Sequence, residues 1–135
     1  LKCEKPGTPL PLISGAPIKL SMVVENLIDN AMKYTPQGGQ VTVSVSDARI
    51  NSARSDLEVV VSDSGIGIPL VERDKIFHRF FRGSNATKVQ TDGTGLGLFI
   101  SRDIVEKHGG AIWFESVAGQ GTQFHFTLPL HRLSN

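Results

Sequence analysis

The sequence has 135 residues but only one cysteine, Cys3. A single cysteine excludes an internal disulfide, and at this position it has no evident partner for a metal site or a nucleophile–base pair. Long apolar runs are also missing, because the densest, such as residues 59–61, fall far below the roughly 18 residues of a membrane helix. We therefore expect a domain from a reducing, cytoplasmic compartment that makes no membrane contact through this segment.

An excess of charge of one sign is lacking as well. Lysine and arginine number 14 against 13 aspartates and glutamates, which gives a formal net charge of +1. No run of like charge forms a patch for a phosphate polymer, so we expect no nucleic-acid partner. The chain starts at Leu1 without a secretory signal. We expect a single domain, residues 1–135, that is a fragment of a longer protein.

Helical periodicity is clearest at residues 17–34, where apolar residues recur every three to four positions after a proline that suits a first helical turn. Pro36 and the glycines after it should end this helix. The other predicted elements are strands at residues 9–13, 40–46, 57–62, 111–115 and 123–128, a hairpin loop at 47–56, one or two short helices within 71–81, and a helix at 96–108. This order predicts an α+β fold, a two-layer α/β sandwich with a mixed, mostly antiparallel sheet covered on one face by about three helices.

Four short segments follow one another along the chain: NLIDNA at residues 26–31, DSGIG at 63–67, GTGLGL at 93–98 and GQGT at 119–122. Each alone has an ordinary interpretation, such as a solvated helix face, a turn or a glycine hinge. No P-loop sequence occurs, and the glycine spacing is not that of a Rossmann fingerprint. A fifth segment, FHRFFR, occupies residues 77–82.

Together these segments resemble the N, G1, G2, G3 and F boxes of the sensor histidine kinase ATP-binding domain (HATPase_c), in the GHKL superfamily with gyrase, Hsp90 and MutL. The resemblance covers nearly the whole chain and implies the Bergerat ATP-binding fold. It also implies the catalytic domain of a two-component, ATP-dependent protein-histidine kinase, with ATP and Mg²⁺ as cofactors. The implied partners are the histidine-bearing dimerisation helices of the same kinase, which receive the γ-phosphate, and a response regulator.

Asn26, Asn30 and Lys33 fall at i, i+4 and i+7 of the first helix and share its polar face. In the resembled family, the asparagine matching Asn30 ligates Mg²⁺, the one matching Asn26 assists nearby, and the lysine matching Lys33 contacts phosphate. A neutral amide oxygen suits a magnesium ion whose charge is largely met by nucleotide phosphates.

Asp63 ends an apolar strand, and the resemblance assigns it to the amino group of adenine. A carboxylate accepts hydrogen bonds but cannot donate them, so it fits the amine of adenine and not the carbonyl of guanine. Gly65 and Gly67 would let the backbone approach a flat ring, and Thr122 would support the aspartate.

The glycines of residues 93–97 precede a helix, so exposed N–H groups and the positive helix end could meet phosphate oxygens. We expect residues 83–95 to form a lid. The resemblance implies that Arg82 approaches the γ-phosphate, and Lys88 is a weaker candidate for that task. The implied catalytic residues are Asn26, Lys33 and Arg82, the metal ligand is Asn30, and the nucleotide-binding residues are Asn26, Asn30, Lys33, Tyr34, Asp63, Gly65, Gly67, Ile68, Phe77, Lys88, Gly93, Thr94, Gly95, Leu96, Gly97, Leu98 and Thr122.

The histidines at positions 78, 108, 125 and 131 lack the sequence pattern of a phospho-accepting histidine, so we expect structural or surface roles for them and an acceptor elsewhere. Ala16 stands where many relatives carry an aspartate N-cap, a feature typically worth about 1 kcal/mol. Ser14 is the candidate to compensate.

Three alternatives remain open at this stage. An ATP-hydrolysing clamp like gyrase or Hsp90 would carry a general-base glutamate at position 26, which here is asparagine. An anti-sigma-factor-type serine kinase also tends to carry that glutamate and to lack the aromatic segment. A noncatalytic ATP-binding module of the same fold would transfer no phosphate, and the intact boxes argue against it.

Overall fold

A computed structural model describes residues 1–4, 15–51, 54–78 and 97–130 of the chain. Its elements are β1 (Lys2–Glu4), α1 (Pro17–Lys33), β2 (Val41–Asn51), β3 (Arg54–Asp63), a 3-10 helix (Leu70–Glu72), α2 (Gly97–Lys107), β4 (Ile112–Val117) and β5 (Gly121–Pro129). Within these ranges, no helix has the length and apolar character required to cross a membrane.

The five strands form one sheet in the order β1-β2-β3-β5-β4. β1 runs parallel to β2, and the other neighbouring strands are antiparallel. The register places Val43 opposite Val61, Val61 opposite Phe124, and Phe124 opposite Phe114. This continuous apolar row lies on the face that the helices cover, which confirms the predicted mixed, mostly antiparallel sheet.

Both α-helices pack against that face. α1 buries Val23, Leu27 and Ala31, and α2 buries Ile104 and Val105. These side chains join the buried valines and phenylalanines of the sheet in one core cluster. The spacing of the α1 residues is the helical stripe that the sequence predicts, and the two-layer α+β sandwich is confirmed.

The start of α1 is held by a histidine distant in sequence. Ala16 makes no side-chain cap, but its backbone N–H donates to Nε2 of His108 at 3.0 Å. Nδ1 of His108 lies 2.8 Å from the carbonyl oxygen of Ile104, so the ring carries its proton on Nδ1 and accepts at Nε2. His108 therefore satisfies the N–H of Ala16 and ties the start of α1 to the residue that follows α2, whereas Ser14 lies outside the described residues.

The second expected structural histidine is His125, on the sheet face away from the helices. Its Nδ1 lies 2.9 Å from a carboxylate oxygen of Glu58, and its ring stacks on Trp113 with centroids 5.1 Å apart. This environment agrees with a structural role.

Two sequence predictions of elements differ from the structure. The hairpin loop expected at residues 47–56 is wrong, because β2 continues to Asn51 and β3 begins at Arg54 in paired register. Backbone pairing needs no apolar side chains, so the polar sequence concealed these strand ends. Residues 71–81 were expected to hold one or two helices, and their described part holds a 3-10 helix and turns. The strand expected at residues 9–13 lies outside the described residues, and the short edge strand β1 was not predicted.

Candidate functional site

The candidate site lies where β3 ends beside the start of β5. Asp63 is the last residue of β3 and stands directly opposite Thr122 in the register. Its Oδ1 accepts hydrogen bonds from the N–H groups of Gly65 at 2.8 Å and Thr122 at 3.2 Å. Within the described residues both bonds go to Oδ1, which leaves Oδ2 as an acceptor for another group.

Burial raises the pKa of the Asp63 carboxyl, and the hydrogen bonds from the Gly65 and Thr122 backbones act in the opposite direction. The carboxylate at this half-buried strand end has thus lost part of its hydration, and hydrogen bonds from the protein replace only part of that loss. Such a group is well suited to receive a donor from a ligand, because the ligand would replace hydration that folding has already removed.

Backbone hydrogen bonds to two other parts of the chain hold the segment after Asp63 in place. The N–H of Ile66 donates to the carbonyl of Tyr34 at 3.2 Å, and the N–H of Gly119 donates to the carbonyl of Ile66 at 2.7 Å. A Cβ atom at Gly65 would overlap the carbonyl oxygen of Tyr34, and one at Gly67, where φ is +73°, would overlap backbone next to the β4–β5 turn. These glycines are therefore required by close packing of protein backbone, while their contact with a nucleotide ring stays a prediction.

A buried hydroxyl that the sequence analysis missed lies beneath this segment. Oγ of Ser116 is 2.8 Å from the N–H of Ile68 and 2.8 Å from the hydroxyl of Thr122. Arg73 donates to the carbonyl oxygens of Ile68, at 3.2 Å, and of Ser116. The β4–β5 register could have suggested Ser116, because it aligns that residue with a site residue on the neighbouring strand. No local sequence motif indicates Ser116 or Arg73.

The polar face of α1 contributes the second part of the site. Nδ2 of Asn26 donates to Oγ of Ser101 at 3.3 Å and to the carbonyl of Gly97 at 3.5 Å. Asn26 thus ties α1 to the first turn of α2. Asn30 lies one helical turn further on and is partly buried, whereas Lys33 is exposed near the helix end.

Asn30 fits the expected metal ligand. In the described part of the chain its side chain makes no hydrogen bond, so the amide oxygen is available on a partly buried helix face. A neutral oxygen donor is compatible with Mg²⁺, which binds protein through few ligands and keeps phosphate oxygens and waters around it.

Other predicted site residues fall into two groups. Ile68, Phe77 and Leu98 pack against the core as partly buried side chains. The Phe77 ring lies 6.2 Å from those of Phe114 and Phe124 and 5.6 Å from the guanidinium of Arg102, so it fills the core edge. The second group, which lies outside the described residues together with the lid at 83–95, comprises Arg82, Lys88, Gly93, Thr94, Gly95 and Leu96.

The structure therefore brings Asp63 and Thr122 together at one end of the sheet and connects Asn26 to the N-terminus of α2. The first N–H groups of an α-helix have no partner within the helix, and its N-terminus is the positive end of the helix dipole, which attracts anions. The combination of a strand-end acceptor, a helix-borne amide and a positive helix end matches the chemistry of a metal-bound nucleotide.

Comparison with known proteins identifies the family of the chain. The profile of the family described as "Histidine kinase-, DNA gyrase B-, and HSP90-like ATPase" matches residues 15–132. Sensor histidine kinase WalK of Bacillus subtilis (strain 168) is 45% identical over 111 residues, which are 82% of this chain and 18% of WalK. The chain thus spans about a fifth of the length of that relative.

Solved structures agree with the sequence comparison. The mycobacterial sensor histidine kinase MprB superposes with a TM-score of 0.78 at 36% identity, covering 98% of this chain and 85% of the MprB chain. Full-length ShkA in complex with AMPPNP superposes with a TM-score of 0.70 at 30% identity, covering 98% of this chain and 27% of the ShkA chain. The chain therefore belongs to the family of ATP-binding domains shared by histidine kinases, DNA gyrase B and HSP90.

Proposed function

We propose that this domain binds Mg·ATP and donates the γ-phosphate to a histidine on a separate dimerisation domain of the same sensor kinase. The observation that carries the proposal is the hydrogen bonding of Asp63, whose Oδ1 is held by two backbone N–H groups while Oδ2 remains an acceptor. A fixed acceptor at this position selects a ligand with an exocyclic amine, as adenine has. The AMPPNP bound to the ShkA relative, an ATP analogue, supports the same ligand class.

In this proposal each part of the site has one task. Asp63 accepts a hydrogen bond from the adenine amine, and Thr122 supports it. Asn30 provides an amide oxygen to Mg²⁺, which when bound neutralises charge on the phosphate oxygens. Lys33 and the N-terminus of α2 contact phosphate. Phosphoryl transfer then needs little covalent chemistry from the protein, because orientation and charge neutralisation provide most of the effect.

Position 26 favours transfer to a histidine over hydrolysis. A hydrolysing clamp needs a base there to accept a proton from water, but the Asn26 amide is neutral and its nitrogen is engaged with α2. Asn26 instead holds the start of α2 against α1, so that the phosphate-binding helix end keeps its position relative to Asn30. The neighbouring Glu25 projects about 100° away around the helix and is a poor substitute.

The larger assembly is also part of the proposal. The acceptor histidine lies on dimerisation helices of the intact kinase, the phosphate then passes to a response regulator, and the domain works in the cytoplasm. Lys33 on α1 and Leu70 on the 3-10 helix are both exposed, so each side chain is accessible to a second domain.

The test is phosphotransfer in trans. This chain, the separately produced histidine-bearing helical domain of its parent kinase and γ-labelled ATP with Mg²⁺ are expected to yield acid-labile label on histidine. Asn30→Ala is expected to abolish the magnesium-dependent part of ATP binding and the labelling. The exposed substitution Glu115→Gln on β4 serves as the control that leaves both unchanged. ATP binding without label on histidine would instead support the serine kinase or noncatalytic alternatives.

A further inference from the structure

We infer that Ser116 is a positioning residue that sets which purines the site accepts, by fixing the direction of the Thr122 hydroxyl hydrogen. The inference rests on the proposed function, because it concerns the adenine end of the same site. Its physical basis is a row of polar residues across three neighbouring strands. Asp63 of β3 stands opposite Thr122 of β5, which stands opposite Ser116 of β4.

Side chains at directly opposed positions project from the same face of a sheet, so the three polar groups lie side by side. Ser116 is 8% exposed and Thr122 is 6% exposed. Water therefore has little access to their hydroxyl groups. Buried hydroxyls must find their partners within the protein or a bound ligand, because an unsatisfied buried polar group costs about 1–3 kcal/mol.

The partners of Ser116 determine where each hydrogen lies. The N–H of Ile68 can only donate, so at 2.8 Å it occupies one lone pair of Ser116 Oγ. The carbonyl of Gly121 can only accept, so at 3.0 Å it takes the single hydroxyl hydrogen of Ser116. A hydroxyl has one hydrogen and two lone pairs. The remaining 2.8 Å contact must therefore be a hydrogen bond donated by the hydroxyl of Thr122 to the second lone pair of Ser116.

This assignment commits the only hydroxyl hydrogen of Thr122 to Ser116. The backbone N–H of Thr122 is also committed, because it donates to Oδ1 of Asp63. Towards a ligand, Thr122 can then offer only lone pairs, as can Oδ2 of its neighbour Asp63. Two acceptors side by side suit the amine of a 6-aminopurine, bound directly or through one water, and are mismatched to the carbonyl of a 6-oxopurine.

Without the Ser116 hydroxyl, the Thr122 hydroxyl is free to rotate and donate towards the ligand. The carbonyl of a 6-oxopurine could then accept a hydrogen bond from the Thr122 hydroxyl, which is not available for this in the wild-type site. The expected effect of Ser116→Ala is therefore a change in discrimination rather than a uniform loss of binding. The affinity ratio of ATP over inosine triphosphate, which carries a carbonyl in place of the amine, should fall about tenfold, the effect of one hydrogen bond.

The experiment is calorimetric titration of the chain with ATP and with inosine triphosphate, both with Mg²⁺. The matched control is Thr127→Val, which removes another buried hydroxyl of β5, one that accepts from the N–H of Ala111 at 3.3 Å. The control should leave the affinity ratio unchanged. Ser116→Thr, which keeps a hydroxyl, should retain most of the wild-type ratio.

A role of Ser116 in folding alone would weaken both nucleotides equally, and an unchanged ratio in Ser116→Ala would overturn the inference. Should that variant fail to fold, proton NMR of the wild-type domain provides the same test. The Thr122 hydroxyl proton should exchange slowly and show a nuclear Overhauser effect to the Ser116 methylene; a hydroxyl proton directed towards Asp63 would contradict the assignment. Absence of ATP binding by the wild-type chain would refute the proposed function instead, so the two failures are distinguishable.

Discussion

Replacing Asp63 by asparagine separates what this side chain does for binding from what it does for folding. The two side chains have nearly the same shape, and an asparagine oxygen can keep the hydrogen bonds from the N–H groups of Gly65 and Thr122. The amide nitrogen would then stand at the Oδ2 position. Asp63→Asn therefore presents a donor where the adenine amine also donates, and it removes a buried charge.

The effect on ATP binding is expected to be large. A hydrogen bond to a charged group contributes about 1.5–3 kcal/mol, and leaving buried donors unsatisfied costs about 1–3 kcal/mol more. Together these losses correspond to at least about a 60-fold weaker affinity, since each 1.4 kcal/mol is a factor of about ten. The effect on folding has the opposite sign, because the neutral amide avoids the desolvation of a charged carboxylate.

The pH dependence follows from the same desolvation. Burial raises the pKa of folded Asp63 above its ordinary value of 3.8, so the folded domain binds the proton more tightly than the unfolded chain does. The charged group thus lowers the free energy of unfolding above the folded pKa. This cost is relieved as the pH falls from the folded pKa towards 3.8. The difference in stability between Asp63→Asn and wild type should shrink over that window.

The assays are ATP titration and urea unfolding of wild type and Asp63→Asn across mildly acidic pH. Glu115→Gln provides the matched control, because it makes the same carboxylate-to-amide change at an exposed site. Near-wild-type ATP affinity in Asp63→Asn would refute the adenine contact. A large loss of stability at neutral pH would show that the segment at residues 63–67 needs the charge of the carboxylate, and that a neutral group of the same shape cannot replace it.

Two further predictions concern the scaffold. His108→Ala removes the acceptor for the N–H of Ala16 and should lower the free energy of unfolding by about 1 kcal/mol, the usual net contribution of one hydrogen bond; thermal unfolding measures it, and an unchanged melting temperature would contradict this role of His108. Gly121→Ala should be far more damaging than Gly119→Ala. Both glycines have positive φ, but a Cβ at Gly121 would overlap the backbone of Asp63, whereas one at Gly119 meets open space. Equal losses of stability and ATP affinity in the two variants would show that φ alone matters.

Sequence reasoning predicted the features that depend on local signals. The apolar stripe of α1, Pro17 at its first turn and Pro36 beyond its end gave the helix with accurate bounds. Alternation predicted the face of β5 on which Phe124 and Phe126 are buried. The boxes placed Asp63 and Thr122 in one site, and the strand register brings them opposite each other.

Features that depend on distant contacts were not predictable in this way. His108 accepts a hydrogen bond from the N–H of Ala16, 92 positions away at the start of α1, and nothing in the sequence around His108 indicates that partner. Ser116 is a single serine in a strand, so its importance appears only when three strands align. The glycine at position 65 was predicted for a ligand's approach, whereas the structure shows it packed against the Tyr34 carbonyl. A glycine in the sequence indicates that space is needed at its position, but not which neighbouring group occupies that space.

The central claim is that Asp63 and Asn30 bind the two ends of one Mg·ATP molecule. The most direct measurement is a crystal structure of this chain with a non-hydrolysable ATP analogue and Mg²⁺. The account predicts the adenine amine about 3 Å from Oδ2 of Asp63 and the amide oxygen of Asn30 about 2.1 Å from the metal. A nucleotide bound with its base away from Asp63, or a metal without Asn30 among its ligands, would contradict it.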